Sequence, residues 1–204
     1  MPLLRPLALV ALILLPGCSA LSALSQATEA LDVYELRAPE SIAEAPRRLR
    51  LNVTVEEPTT TGALMTDRIM IKPSDLQAQY LPGARWGEEV PVMMQSLMLR
   101  ALQATDGLTY VGREPLGLSG DVAVVSDLID FQGRAVPGTE TAIVTLRVSV
   151  QLVRERDVAI LASRTFTAEA QTAGLENAQI VAGFDQASDI LLAEFADWVV
   201  TGLR

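Results

Sequence analysis

The chain has 204 residues, a formal net charge of −9, no histidine and a single cysteine, Cys18. Its length fits one domain, and with half of the residues hydrophobic it has the material for a core. The lone cysteine excludes an intramolecular disulfide, the lack of histidine removes the commonest general base and metal ligand, and the acidic balance disfavours nucleic acid as a partner and adsorption to anionic lipid by charge.

Taken in order, the chain starts with a leader. Met1–Pro6 carries one charge, Arg5, and residues 7–15 are apolar throughout. A positive start followed by a short hydrophobic run is the layout of a secretory signal peptide. The run is about half of the ~20 residues that span a bilayer, so it reads as a removable leader over residues 1–17. The run ends in Leu15-Pro16-Gly17-Cys18, which resembles the lipobox of bacterial lipoproteins. That resemblance implies cleavage between Gly17 and Cys18, a diacylglyceryl group on the Cys18 sulfur and an N-acyl chain, such as palmitate, on its amine. One acyl chain binds a membrane marginally, whereas two anchor it stably. Ser19 stands where many inner-membrane lipoproteins carry Asp, which favours the outer membrane. Residues 18–30 are small and polar and read as a lipidated tether, with the domain over 31–204.

Asp32–Ala38 alternates as a first strand. Arg48–Glu56 has a strict period of two, with Leu49, Leu51, Val53 and Val55 on one face, as a half-buried strand requires. Pro58–Gly62 reads as a Thr-rich turn and Thr66–Ile71 as a strand stopped by Lys72-Pro73. From Tyr80 the chain passes through Pro82-Gly83 to Arg85-Trp86. A helix is expected over Glu88–Thr105: acids suit its start, Pro91 is tolerated in its first turn, and Gly107 is placed as its C-cap. Val90, Met94, Leu97 and Ala101 trace its apolar stripe. Leu108–Val111 is strand-like. Asp121–Gln132, Ala142–Val153 and Val158–Ala168 then read as an antiparallel meander. A bulge is expected at Asp127-Leu128, and Ile160, Ala162, Phe166 and Ala168 share a face. A long helix over Asn177–Leu203 closes the chain, its stripe running through Ile180, Phe184, Leu191, Phe195 and Trp198. Gly183 weakens that helix slightly. The sum is a mixed α/β domain with two main helices packed on a largely antiparallel sheet of six or seven strands.

Candidate chemistry is thin. Lys72 with Ser74 gives Lys-x-Ser, unlike the Ser-x-x-Lys of acyl enzymes. The pairs Glu56-Glu57 and Glu88-Glu89 face apart on a strand or serve a helix start, and Asp127 and Asp130 lie on opposite faces of a regular strand, sharing a metal only if a bulge realigns them. No glycine-rich phosphate loop is present. No catalytic set, cofactor site or metal site is therefore expected, and the chain does not read as an enzyme. Met93, Met94 and Met98 either line an adaptable apolar groove or form core. Arg85-Trp86 at a helix entrance is either a partner hot spot, since both residue types are enriched there, or a core plug with Arg85 paired to a carboxylate.

The chain resembles the ABC-type transport auxiliary lipoproteins (PqiC-like). The matching features, in order, are the lipobox Cys18, Tyr34-Glu35-Leu36, Thr66-Asp67-Arg68-Ile69, and Tyr80 followed by Arg85-Trp86. After them come Asp127-Leu128-Ile129-Asp130-Phe131, Val144-Thr145-Leu146, and Ala182-Gly183-Phe184-Asp185-Gln186-Ala187 with Trp198. The resemblance implies a periplasmic lipoprotein of Gram-negative bacteria, lipid-anchored at the outer membrane. Its role would be an auxiliary or docking subunit of an ABC- or MCE-type lipid transport system. It also implies envelope transporter proteins as partners and, in at least some members, homo-oligomeric rings. The alternative is a structural envelope lipoprotein that binds another outer-membrane or cell-wall assembly.

Overall fold

A computed structural model describes residues 31–39, 41–74, 76–117 and 119–203. In chain order the strands are β1 (Asp32–Tyr34), β2 (Leu49–Val55), β3 (Thr59–Thr60), β4 (Arg68–Ser74), β5 (Gln77–Trp86), β6 (Leu108–Gly112), β7 (Val122–Ala135), β8 (Ala142–Arg154) and β9 (Ala159–Gln171). Helix α1 (Val90–Ala104) lies between β5 and β6, and α2 (Asn177–Gly202) follows β9. Val33–Arg204 forms one compact unit.

The sheet grows outward from β7. Along one edge β7 pairs antiparallel with β8 from Val122↔Arg154 to Ala135↔Ala142, and β8 pairs antiparallel with β9. Along its other edge β7 takes three strands in succession, all parallel: β2 at Val53↔Val122, β3 at Thr59↔Asp127 and β4 at Ile71↔Gly133. Outside β2 lies β6, again parallel, a pairing that needs a crossover. Helix α1 supplies it and packs on both strands. Outside β4 lies β5, antiparallel, and then β1. The two longest ladders, β7–β8 and β8–β9, are antiparallel, while the parallel pairings gather on the far side of β7.

Alternation sets what is buried. On β8, Val144, Leu146, Val148, Val150 and Leu152 are all fully buried, and Ile143, Arg147 and Gln151 face outward. The buried face carries α2, which packs on β8 and β9 and touches α1. The α1 face built from Met93, Met94, Leu97 and Met98 is core, with Met94 fully buried. Gln95 on α1 is buried too, and its Nε2 donates to the Val55 carbonyl at 2.9 Å, fastening the helix to the end of β2. Helix α2 approaches β8 closely at Gly183. A Cβ there would lie 2.8 Å from Thr172 Cγ2 and 3.1 Å from Val144 Cγ2, so the glycine that weakens the helix locally is what lets it dock.

Several expectations are corrected. The segment leading to Arg85-Trp86 is strand β5, hidden from periodicity because Pro82-Gly83 interrupts it. Between Arg68↔Arg85 and Met70↔Tyr80 four residues of β5 oppose one of β4, and Gly83 sits at φ +72°, a bulge that removes the pleat signal. Thr59-Thr60, expected inside a turn, forms β3. Its hydroxyls are what hold it: Thr60 Oγ1 donates to the Leu128 carbonyl at 2.6 Å and Thr59 Oγ1 to Asp127 Oδ1 at 3.1 Å. Strand β4 runs through Lys72-Pro73 to Ser74. The left-handed residue after α1 is Asp106, at φ 46°, and not Gly107. Gly107 is needed for space instead, since its Cβ would lie 2.6 Å from Ala45 Cβ. The β8–β9 register slips between Leu152 and Val153, which turns Ile160 to the outer face, where it is 60% exposed. The bulge expected near Asp127-Leu128 is present as a register shift between Leu128 and Asp130.

Candidate functional site

Gly17 and Cys18, with the leader over 1–17 and the tether over 18–30, lie outside the described residues. The remaining candidates belong to the domain, and the motif-bearing segments converge in it. Trp86 at the end of β5, Phe131 on β7 and Phe184 on α2 meet as one aromatic group. The Trp86 ring stands edge-on to both phenylalanines, with centroids 5.9 and 5.3 Å away, and the two phenyl rings are 5.0 Å apart. All three side chains are buried to 1% exposure or less. A second group, Phe166, Phe195 and Trp198, locks α2 to β9 further along.

Of the two readings of Arg85-Trp86, this geometry has the form of the core plug for Trp86, with Arg85 paired to a carboxylate at the surface. The Trp86 indole is fully buried and offers no surface to another protein; its Nε1–H has no acceptor among the described residues. Arg85 donates from Nη1 to Asp67 Oδ2 at 3.2 Å and to the Trp86 carbonyl at 3.1 Å, and the Trp86 N–H donates to the Asp67 carbonyl at 2.7 Å. The Arg-Trp pair therefore closes the β4–β5 hairpin around Asp67, with the Arg85 side chain about one-third exposed. Next to it the Arg68 guanidinium lies 5.8 Å from the Tyr80 ring centre, and the Tyr80 hydroxyl donates to the Ala63 carbonyl at 3.1 Å.

Two ion pairs found here carry no signal in the sequence, because their partners are far apart along the chain. Asp185 on α2 is a half-buried carboxylate that takes the Arg37 N–H at 3.1 Å and the Arg37 Nε at 3.0 Å. This fork, of the strong charge-assisted kind, ties the segment after β1 to α2. On the outer sheet face Asp130 pairs with Arg147 of β8. The bulge at Ile129 does bring Asp127 and Asp130 to one face, opposite Ser149 and Arg147. Even so, Asp127 faces Thr59 and Asp130 faces Arg147, and no group of three His, Cys, Asp or Glu side chains able to hold a metal occurs among the described residues. At the β8–β9 turn, Arg154 grips Asp157 through two bonds of 2.9 and 3.0 Å. That hydrogen bonding holds the Asp157 carboxyl below the ordinary aspartate value.

Two cavities flank the β4–β7 junction. An apolar one of about 240 Å³ lies between β4, β5 and the start of α2. A polar basin of about 420 Å³ lies on the outer face of β7, β8 and β9. No helix among the described residues is long and apolar enough to cross a membrane.

The sequence pattern of the ABC-type transport auxiliary lipoprotein component family matches residues 34–196, and the chain belongs to that family. An uncharacterised protein of Bradyrhizobium diazoefficiens is 25% identical over 171 residues, which are 82% of this chain and 44% of that protein. The chain thus spans less than half the length of that relative. The crystal structure of a Xanthomonas campestris protein is similar at a TM-score of 0.75 and 20% identity, covering 84% of this chain and 95% of the other. A second crystal structure, of an uncharacterized protein, is similar at a TM-score of 0.63 and 16% identity, over 83% of this chain and 99% of the other. At such identities the likeness is one of fold: a mixed α/β domain with two helices on a nine-stranded sheet.

Proposed function

We propose that the chain is a lipid-anchored, periplasmic docking subunit of an ABC- or MCE-type lipid transport system in a Gram-negative envelope. The observation that carries this reading is the family match over residues 34–196 downstream of Leu15-Pro16-Gly17-Cys18. The anchor is a diacylglyceryl group and an N-acyl chain on Cys18, which hold the protein at the outer membrane, with Ser19 favouring that side. Attachment through acyl chains suits a chain of charge −9, which anionic headgroups repel. The role is one of contact and not of catalysis. The polar outer face of β7–β9 and the Arg85–Asp67 corner are the surfaces available to transporter proteins or to further copies in a ring.

The test has two arms. Radiolabelled palmitate is incorporated into the wild-type chain and not into Cys18→Ser, and the label bands with outer membranes on a density gradient. Photocrosslinkers placed at Arg147 and Thr165 capture transporter subunits in cells. Crosslinks confined to cell-wall or outer-membrane assembly proteins would replace the transporter with a structural role.

A further inference from the structure

Lys72 is the only lysine in the chain, and it is the one residue that lines both cavities at the β4–β7 junction. Apart from Lys72 the smaller cavity is lined by apolar residues alone. Ile71 and Pro73 of β4, Leu81 of β5, and Leu175 and Ile180 at the entrance to α2 enclose it. Gly133, Ala135 and Ala142 leave the space between them open. The sequence explains why the gap exists. Ile71↔Gly133 is the pairing that joins β4 to β7, and Pro73 has no N–H with which to extend it, so the strands part. Leu175 stays 40% exposed at the lip.

On the other side of Lys72 the basin carries Arg134 and Arg147 with Asp130 and Glu169. Asp130 is engaged by Arg147, and Glu169 accepts from Thr145 Oγ1 at 3.3 Å. Lys72 forms no ion pair among the described residues. An apolar slot therefore opens beside a lysine that has no ion-pair partner among the described residues, on a molecule that is otherwise strongly acidic.

We propose that this junction binds the acyl chain of a single-chain anionic amphiphile, of the fatty-acid type. The tail lies in the apolar slot and the carboxylate meets Lys72. The slot of about 240 Å³ has room for about eight groups the size of a water molecule, at roughly 30 Å³ each, which is space for part of a long chain. Charge selects this occupant over two others. The acyl chains on Cys18 are uncharged and gain nothing from Lys72, and a peptide strand would bury amide groups against walls that offer them no partners. Docking onto a transporter does not require the subunit to hold lipid itself, so this proposal and the docking role fail separately.

The test uses the full lipidated chain in its own membranes and a photoreactive palmitate. The label is expected on peptides carrying Leu81, Leu175 and Ile180. Gly133→Leu fills the slot and lowers labelling at least about ten-fold, as loss of several methylene contacts does. Lys72→Glu keeps the slot, lowers labelling about five-fold, and raises labelling by a photoreactive alkyltrimethylammonium of equal length. Melting of both variants is followed in parallel, and Lys72→Glu carries the test if Gly133→Leu does not fold. Label scattered over the surface, or unchanged in Lys72→Glu, would overturn the proposal. So would stronger labelling after Cys18→Ser, which would make the protein's own acyl chain the occupant, or label found on a neighbouring protein in place of this chain.

Discussion

Replacing Trp86 with alanine empties the centre of the domain. The indole is fully buried and touches Phe131 and Phe184 edge-on, so the change removes both ring contacts and leaves a cavity where β5, β7 and α2 meet. Large-to-small changes of this kind cost about 3–5 kcal/mol, of which the two aromatic pairs account for roughly 1–3 kcal/mol. For a domain of this size each kcal/mol lowers Tm by about 2–4 °C, so a fall of roughly 6–20 °C is expected. Trp86→Phe keeps a ring in place and removes an indole N–H that has no acceptor among the described residues; it is expected to cost less than half as much. The assay is thermal and urea unfolding of wild type and both variants, with partner binding measured on the same samples. A Trp86→Ala protein that melts like wild type but no longer binds its partner would refute the core assignment and return Trp86 to the surface.

Other perturbations follow from the same geometry. Gly183→Leu drives a side chain into Thr172 and Val144 and is expected to destabilise by about 1–3 kcal/mol, read by urea unfolding; an unchanged midpoint would mean that α2 does not approach β8 as described. Arg37→Ala removes the fork to Asp185 and, with Arg37 largely exposed, should cost about 1 kcal/mol and raise hydrogen exchange in the segment after β1. Asp157 is held below the ordinary aspartate value mainly by its hydrogen bond from Arg154. A lowered carboxylate value means that the fork contributes fully above the unfolded value and is lost as pH falls through the folded one. A carboxyl-carbon NMR titration should show a depressed midpoint that returns toward the ordinary value in Arg154→Gln; an unshifted midpoint in wild type would show that the turn is not locked.

What could be read from the sequence follows from how local each signal is. Strand β8 declares itself because its side chains alternate without interruption, β9 because Phe166, Ala168 and Ala170 alternate along its second half, and α1 and α2 because their apolar stripes hold over several turns. Strand β5 is hidden by Pro82-Gly83, and β3 by having only two residues, held through threonine hydroxyls that a turn would also use. Ile160 reads as core until the bulge at the start of β9 turns it outward, a one-residue slip that flips a side chain to the other face. The parallel pairings along β7 depend on where distant segments land, which no period records. The same holds for the site. The methionine face of α1 is legible as core or groove, but Lys72 sits at a junction of β4, β7 and α2 that only the assembled fold creates. Asp185 and Arg37 meet across 148 positions, with no pattern to connect them.

The central claim, a lipoprotein that docks onto an envelope lipid transporter, is tested most directly by purifying the tagged, lipidated chain from its own membranes in mild detergent. Everything retained is then identified by mass spectrometry. The account predicts an MCE-domain protein or a transporter permease in stoichiometric amount, with phospholipid, and loss of that partner from membranes carrying only Cys18→Ser. Recovery of cell-wall fragments or outer-membrane assembly proteins, with no transporter subunit, would contradict it.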